Sequence, residues 1–253
     1  MGRQEGLIQL SGTVGNVSFF KTKNGEYMAR KKSGMNGERI KSERSFRRTR
    51  ENMQEFAHAC IASKLMRQAL RSAVLFLGDG RASNRLSGTM IKILKADAVS
   101  KRGERNVVNG NPQLLEGFQF NRHADLAKTF LQQFTTSIDR ATGNMVVDVP
   151  AFIPENMIVL PEGATHFRFR AGGAAIDFAG NSYSITTAES ADVPISEVVQ
   201  GPVQLTVTAP AASVHPLFLL LGIEFQQLTN GIMLPLSNGA HNAIAIAKVD
   251  VAA

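Results

Sequence analysis

Pro216-Leu-Phe-Leu-Leu-Leu-Gly-Ile223 is the longest apolar run in this chain. It is far shorter than the roughly 20 residues that span a bilayer as a helix. Read through to Gln226 it is a strand, and Gly231 to Leu236 returns across Thr229-Asn230-Gly231. Asn-Gly is the strongest two-residue hairpin signal, because the tight turn needs positive φ. Ala243 to Val251 follows, alternating around Ile244 and Ile246.

The same texture extends upstream. Pro202 to Ala209 alternates, with Val203, Leu205 and Val207 on the inward side. Ala174 to Phe178 and Ser182 to Thr186 flank Gly180-Asn181. Thr165 to Ala171 places Phe167 and Phe169 on one face, and Ser137-Ile138 pairs with Met145 to Val149 across Asp139 to Asn144. Short alternating strands at this spacing predict an immunoglobulin-like β-sandwich over residues 123–253. The one cysteine, Cys60, and the absence of tryptophan make that analogy architectural only. Within this region 123–134 stays open between a short helix and a strand, around Leu126, Phe130, Leu131 and Phe134.

The N-terminal part reads differently. Residues 1–34 predict a β-hairpin arm: Ile8, Leu10, Val14, Val17, Phe19 and Phe20, then a turn at Asn24-Gly25, then Tyr27 and Met28. Gly12 and Gly15 interrupt its first strand, which suggests a bulge or a close backbone approach. Residues 35–122 predict a basic linker and a helical hairpin. The first helix, about 46–77, places Met53, Phe56, Cys60, Met66, Leu70, Ala73 and Leu77 on its apolar face, and Ala57, Ala59, Ala62 and Ala69 add propensity. Gly78-Asp79-Gly80 ends it. The second helix, Ser83 to about Val99, turns Leu86, Met90, Ile93 and Leu94 inward, and Gly103 closes it. The whole is an α+β chain.

Charge divides unevenly along this order. Residues 1–105 carry 22 lysines and arginines against 9 acids, whereas residues 106–253 carry 6 against 12. Such asymmetry points to a polyanionic partner or to complementary faces in an assembly. The densest basic stretch is Arg39, Lys41, Arg44, Arg47, Arg48 and Arg50, broken only by Glu43. Arginine forks near a helix start suit phosphates. A solvated face, or a surface that meets the acidic half of a neighbouring subunit, is the favoured reading, because no DNA-binding motif and no interleaved aromatics accompany the charges.

Signatures of chemistry are few. No phosphate-binding glycine loop, nucleophile elbow or zinc-protease motif is present. His58, His123, His166, His215 and His241 have no ligand spacing, and all read as structural. Cys60 reads as a buried, inert thiol among Met53, Phe56 and Leu70. Asp79-Gly80-Arg81 and Asp139-Arg-Ala-Thr-Gly143 resemble fragments of calcium loops but lack the closing glutamate, so turn chemistry explains them. No catalytic residue, cofactor, metal site or small-molecule substrate is expected.

Three stretches carry a family resemblance: Ser11-Gly-Thr-Val-Gly-Asn-Val-Ser-Phe-Phe-Lys-Thr-Lys-Asn-Gly25, Ser45-Phe-Arg-Arg-Thr-Arg-Glu-Asn52 and Lys101-Arg-Gly-Glu-Arg-Asn106. The chain resembles a family of Bacteroidetes-type bacterial proteins with no assigned activity. The resemblance implies a bacterial or phage source and no catalytic residues.

The function expected from these features is a non-enzymatic structural subunit that self-assembles into a filament, tube or phage-like particle. Val17, Phe19, Phe20, Asn24, Gly25 and Tyr27 would form a strand-exchange hairpin. The alternative is a nucleic-acid-binding or packaging accessory using the basic N-terminal part. A surface adhesin or carbohydrate-binding module comes third. The N-terminus lacks a signal-peptide pattern, so synthesis in the cytoplasm is expected, with release in a particle or extracellular assembly as the route outward.

Overall fold

The computed structural model describes residues 2–6, 8–31, 37–75 and 79–252. Leu77 and Gly78, expected at the end of the first helix, lie outside them. The chain forms two compact units, residues 1–52 and 53–253. The chain is a mixture of helix and antiparallel sheet, as the alternating and helical spacings of its apolar residues led one to expect.

The first unit opens with four short strands: β1 (Gly2–Arg3), β2 (Gly12–Val14), β3 (Val17–Lys21) and β4 (Tyr27–Lys31). They form one antiparallel sheet in the order β1-β4-β3-β2. The single expected hairpin is therefore two hairpins. Gly15, at φ 56°, does not bulge a long strand but turns the chain, so that Val14 faces Val17. The second turn also departs from expectation. Gly25 has φ 86° while Asn24 keeps negative φ, so the connection is a three-residue loop closed by Thr22 and Glu26. Helix α1 (Gly37–Ser42) follows.

Helix α2 (Arg47–Ala69) runs across the boundary into the second unit, where α3 (Arg71–Val74) and α4 (Ala82–Lys95) complete the helical hairpin. Then come α5 (Leu126–Thr129), β5 (Thr135–Asp139), β6 (Asn144–Val149), α6 (Pro154–Met157), β7 (His166–Asp177), β8 (Ser182–Glu189) and β9 (Val193–Pro194). The chain ends with β10 (Val203–Thr208), β11 (Leu217–Thr229), β12 (Ile232–Pro235) and β13 (Ala243–Asp250). The segment left open at 123–134 is a short helix because the Asp125 carboxylate accepts the Ala127 N–H at its start.

Two long strands organise this unit. β7 and β11 pair along their length, from Leu217 opposite Ala175 to Gln226 opposite His166. The outer edge of β7 takes β8 and β9, and the outer edge of β11 takes β13 and β12. Asn230 and Gly231 both have positive φ, at 52° and 79°, which makes the expected tight turn between β11 and β12. A smaller sheet, β10-β6-β5, stands apart in hydrogen bonding.

Both faces of the β7–β11 pair are buried. Odd-numbered residues of these strands, among them Phe167, Phe169, Leu219 and Leu221, share one apolar cluster with Met145, Val147, Leu205 and Val207 of the smaller sheet. Even-numbered residues, among them Ile176, Phe218 and Leu220, share a second cluster with Met66, Leu70, Leu86 and Met90 of the helices. Two-sided burial is the reason Leu217 to Ile223 reads as an unbroken apolar run. A bulge opposite Leu219/Leu220 then shifts β13 by one residue. It leaves Val249 in the helical cluster and sends the Lys248 ammonium to the Thr136 carbonyl.

Gly172 and Gly173 join segments that the sequence had separated into two strands. A Cβ on Gly172 would stand 2.9 Å from the Ala73 Cβ of α3, and one on Gly173 only 2.6 Å from Val207 Cγ2 of β10. The glycines thus let a helix and a second sheet approach opposite faces of one strand.

The inward face of α2 also differs from expectation. Met66, Leu70 and, in α3, Ala73 are buried as expected, but Met53 and Phe56 are 59% and 56% exposed, and Ala59, Ala62 and Ala69 are buried in their place. Ala59, Ala62 and Ala69, which seemed to add only propensity, belong to the buried cluster with Met66, Leu86 and Met90, while Ala57 stays exposed. On α4 the expected face, Leu86, Met90, Ile93 and Leu94, is fully buried. The helix ends at Lys95, earlier than expected, and Asp97 organises the exit by accepting the N–H groups of Val99, Ser100 and Asn106.

Two measurements follow. Gly173→Ala should lower stability by about 1–3 kcal/mol through overpacking, and Val207→Ala in the same chain should recover part of the loss, read by denaturant unfolding. Asp97 is held down at about 2, chiefly by the Ser100 N–H. A depressed carboxylate stabilises above its ordinary value near 3.8 and loses that contribution as pH falls towards 2. Asp97→Asn should lower the melting temperature at neutral pH and flatten its decline between pH 4 and pH 2.

Candidate interaction surface

The sequence placed its candidate residues in the first unit, and the structure divides them between a sheet and a helix start. In the sheet, β3 and β4 pair with Phe19 opposite Ala29 and Phe20 opposite Met28. Alternation puts Val17, Phe19 and Tyr27 on one face and Phe20 and Met28 on the other. Lys21 lies over the Tyr27 ring at 5.2 Å, and Arg30 over the Phe20 ring at the same distance. Each face thus carries an aromatic beside a cation. Asn24 and Gly25 form the exposed loop between them. Gln4 stitches the leading segment down, donating to the Met28 carbonyl and accepting the Leu10 N–H.

No apolar residue of this sheet is buried. Among the described residues up to 52, Glu51 alone is buried, at 8% exposure. Val14 is 68% exposed and Ile8 81%. A sheet of this size without a covered face is marginal in water.

The basic stretch is largely neutralised by its own neighbours. Arg39 pairs with Glu43 and Lys41 with Glu38. Arg47 and Arg48 converge on Glu51 at 2.9 and 2.8 Å. The hydrogen bond from Arg48 leads in lowering the Glu51 carboxyl below its ordinary range, against an opposing effect of burial, with Arg47 adding to it. Arg50 donates to the carbonyls of Ile40 and Glu43, closing the turn between α1 and α2. Arg44 has no such contact among the described residues. The sequence window from 39 to 50 stopped just short of Glu38 and Glu51, so the compensation was hidden.

The second unit presents its own apolar stripe. Met53, Phe56 and Ile61 stand exposed on α2, with the half-buried thiol of Cys60 beside them. Cys60 is therefore neither deeply buried nor packed in a core with Met53 and Phe56, because the buried face of α2 lies through Ala59 and Ala62.

One polar cluster gave little signal in sequence. Glu224 is 2% exposed in the apolar strand β11 and accepts from Arg168 at 2.9 Å and Arg170 at 2.7 Å. Glu189 and Asp192 surround the same arginines. Burial works to lower the Arg168 guanidinium, but the Glu224 hydrogen bond and these charges raise it. The clue was a lone acid in an apolar strand opposite an Arg-x-Arg pair. The network is structural cross-bracing between β7, β8 and β11.

Asp79 and Asp139 act in turns, as expected. Asp79 accepts the N–H groups of Arg81 and Arg122, and Asp139 that of Ala141. Among the described residues no group of three potential ligands gathers to hold a metal ion, and no helix is long and apolar enough to cross a membrane. Comparison with family models, curated proteins and solved structures finds no match.

Glu51→Gln should free Arg47 and Arg48, so the variant should elute from a heparin column at higher salt than the parent. Unchanged elution from a folded variant would mean that Glu51 does not mask those cations.

Proposed function

We propose that this protein is a structural subunit that self-assembles, and that its N-terminal sheet is the element that meets a neighbouring copy. One observation carries the reading: a four-stranded sheet in which no described apolar side chain is buried. Its aromatic and methionine side chains stand half-covered on both faces, which leaves apolar area for a partner to bury. The exposed stripe of Met53, Phe56 and Ile61 on α2 is a second surface of the same kind. The short strands β1 and β2 at the sheet edges offer the geometry for adding a strand from another chain. A filament, a tube or a particle of phage type would use such contacts repeatedly. The subunit would be made in the cytoplasm and could leave the cell in a released particle.

The same reading takes the C-terminal sheets as an immunoglobulin-like sandwich in architecture. Its support is the apolar cluster that β5, β6 and β10 share with β7 and β11.

Nucleic-acid packaging is the second reading. Residues 1–52 hold 12 lysines and arginines against 5 acids, while residues 53–253 hold 16 of each, so the chain's whole net charge of +7 sits on the first unit. The internal pairing of Arg39, Lys41, Arg47 and Arg48 weighs against it.

Size-exclusion chromatography with light scattering separates the two. Self-assembly predicts a mass that is a multiple of the protomer and grows with concentration, and Phe19→Asp or Phe20→Asp should lower it. A monomer at high concentration, retained on DNA at low salt, would favour the second reading.

A further inference from the structure

Beyond residue 105 the chain has six lysines and arginines and four histidines. Six of these basic side chains have partners. Arg140 binds Asp250 and the carbonyls of Ser213 and His215. Arg168 and Arg170 hold Glu224, and Lys248 donates to the Thr136 carbonyl. His166 meets the Thr165 hydroxyl, and His215 lies 3.7 Å from Asp177. The four that remain are Arg122, His123, Lys128 and His241. None has a side-chain hydrogen bond or ion pair among the described residues, and all four line one cavity of about 420 Å³.

The cavity is held in place from beneath. Asn121, 3% exposed, donates to the carbonyls of Ala240 and Asn242, which flank His241, and accepts the N–H of His123. The Arg122 N–H is fixed by Asp79, and the Asn242 amide oxygen accepts the Phe225 N–H. These hydrogen bonds set the backbone on both sides of the opening, and the four basic side chains are left unengaged among the described residues. One wall is formed by the apolar residues Val159, Leu160, Pro161 and Phe225. Asp125 is the single acid of the lining, and its carboxylate already caps α5 through the Ala127 N–H.

We infer that this cavity binds a small organic oxyanion, a phosphate ester or carboxylate carried on an apolar group. A guanidinium fork, an ammonium and two imidazoles supply the donors such an oxyanion needs, and the apolar wall receives the group that bears it. In a stretch with twice as many acids as lysines and arginines, this is the place where positive charge is left unpaired. The inference is independent of self-assembly, because every residue concerned lies in the second unit.

Isothermal titration of the full chain at 0.15 M salt with phenyl phosphate, inorganic phosphate and benzoate tests it. Phenyl phosphate or benzoate should bind more tightly than inorganic phosphate, and which of the two is tighter identifies the oxyanion. Arg122→Ala with Lys128→Ala should weaken that binding at least about tenfold, since charged hydrogen bonds are lost. Lys95→Ala, on α4, should leave it unchanged. Both variants change exposed side chains, and an unaltered melting curve verifies their folding. No binding at millimolar ligand, or equal binding by the double variant, would overturn the inference.

Discussion

Everything in the larger unit depends on one strand pair having both faces covered. β7 and β11 are apolar on both sides, so a single sheet could not exist alone. The helical hairpin covers one side and the smaller sheet covers the other. The point of closest approach is Gly172-Gly173, where Ala73 and Val207 press on β7 from opposite directions. A side chain at either position would push a layer away and open the clusters. Arg140 then ties the β5–β6 turn to the end of β13 and to the chain before β11. The Glu224 network braces the far end of the pair.

Local patterns carried most of the secondary structure. Alternation located β10 and β13, and Asn230-Gly231 marked its turn, because these features depend only on neighbours in sequence. The layers were harder to see. A glycine pair is a break in a sequence and a contact surface in a fold, and nothing local distinguishes the two. The same ambiguity hid the face of α2. Ala59, Ala62 and Ala69 read as helix formers and Met53 and Phe56 as core, yet these three alanines are buried beside Met66 and Leu70 while Met53 and Phe56 stand outside. Of the candidate surface, the aromatic strands and the turn at Gly25 were legible. The neutralisation of the arginines was not, since it depends on Glu38 and Glu51 at the margins of the basic run. The cavity of Arg122, His123, Lys128 and His241 was invisible for a related reason: Asn121 joins two segments about 120 residues apart.

The two units therefore solve the problem of burial differently. The second closes its long strands between layers. The first has strands, turns and aromatic side chains in order, but among its described residues no apolar side chain is buried. Its sheet is held by ladder hydrogen bonds, cation–aromatic contacts and local ion pairs, each worth little when exposed to water. A unit built this way gains most of its stability when another surface covers it, which is the physical basis for reading it as an assembly element.

Hydrogen exchange followed at two protein concentrations tests that claim most directly. In dilute solution the amides of residues 12–31 should exchange fast, while those of 167–176 and 217–226 exchange only on global unfolding. At high concentration residues 12–31 should become protected, with no change in the long strands. Strong protection of residues 12–31 in a dilute monomer would contradict the account, because it would mean that the first unit is complete by itself.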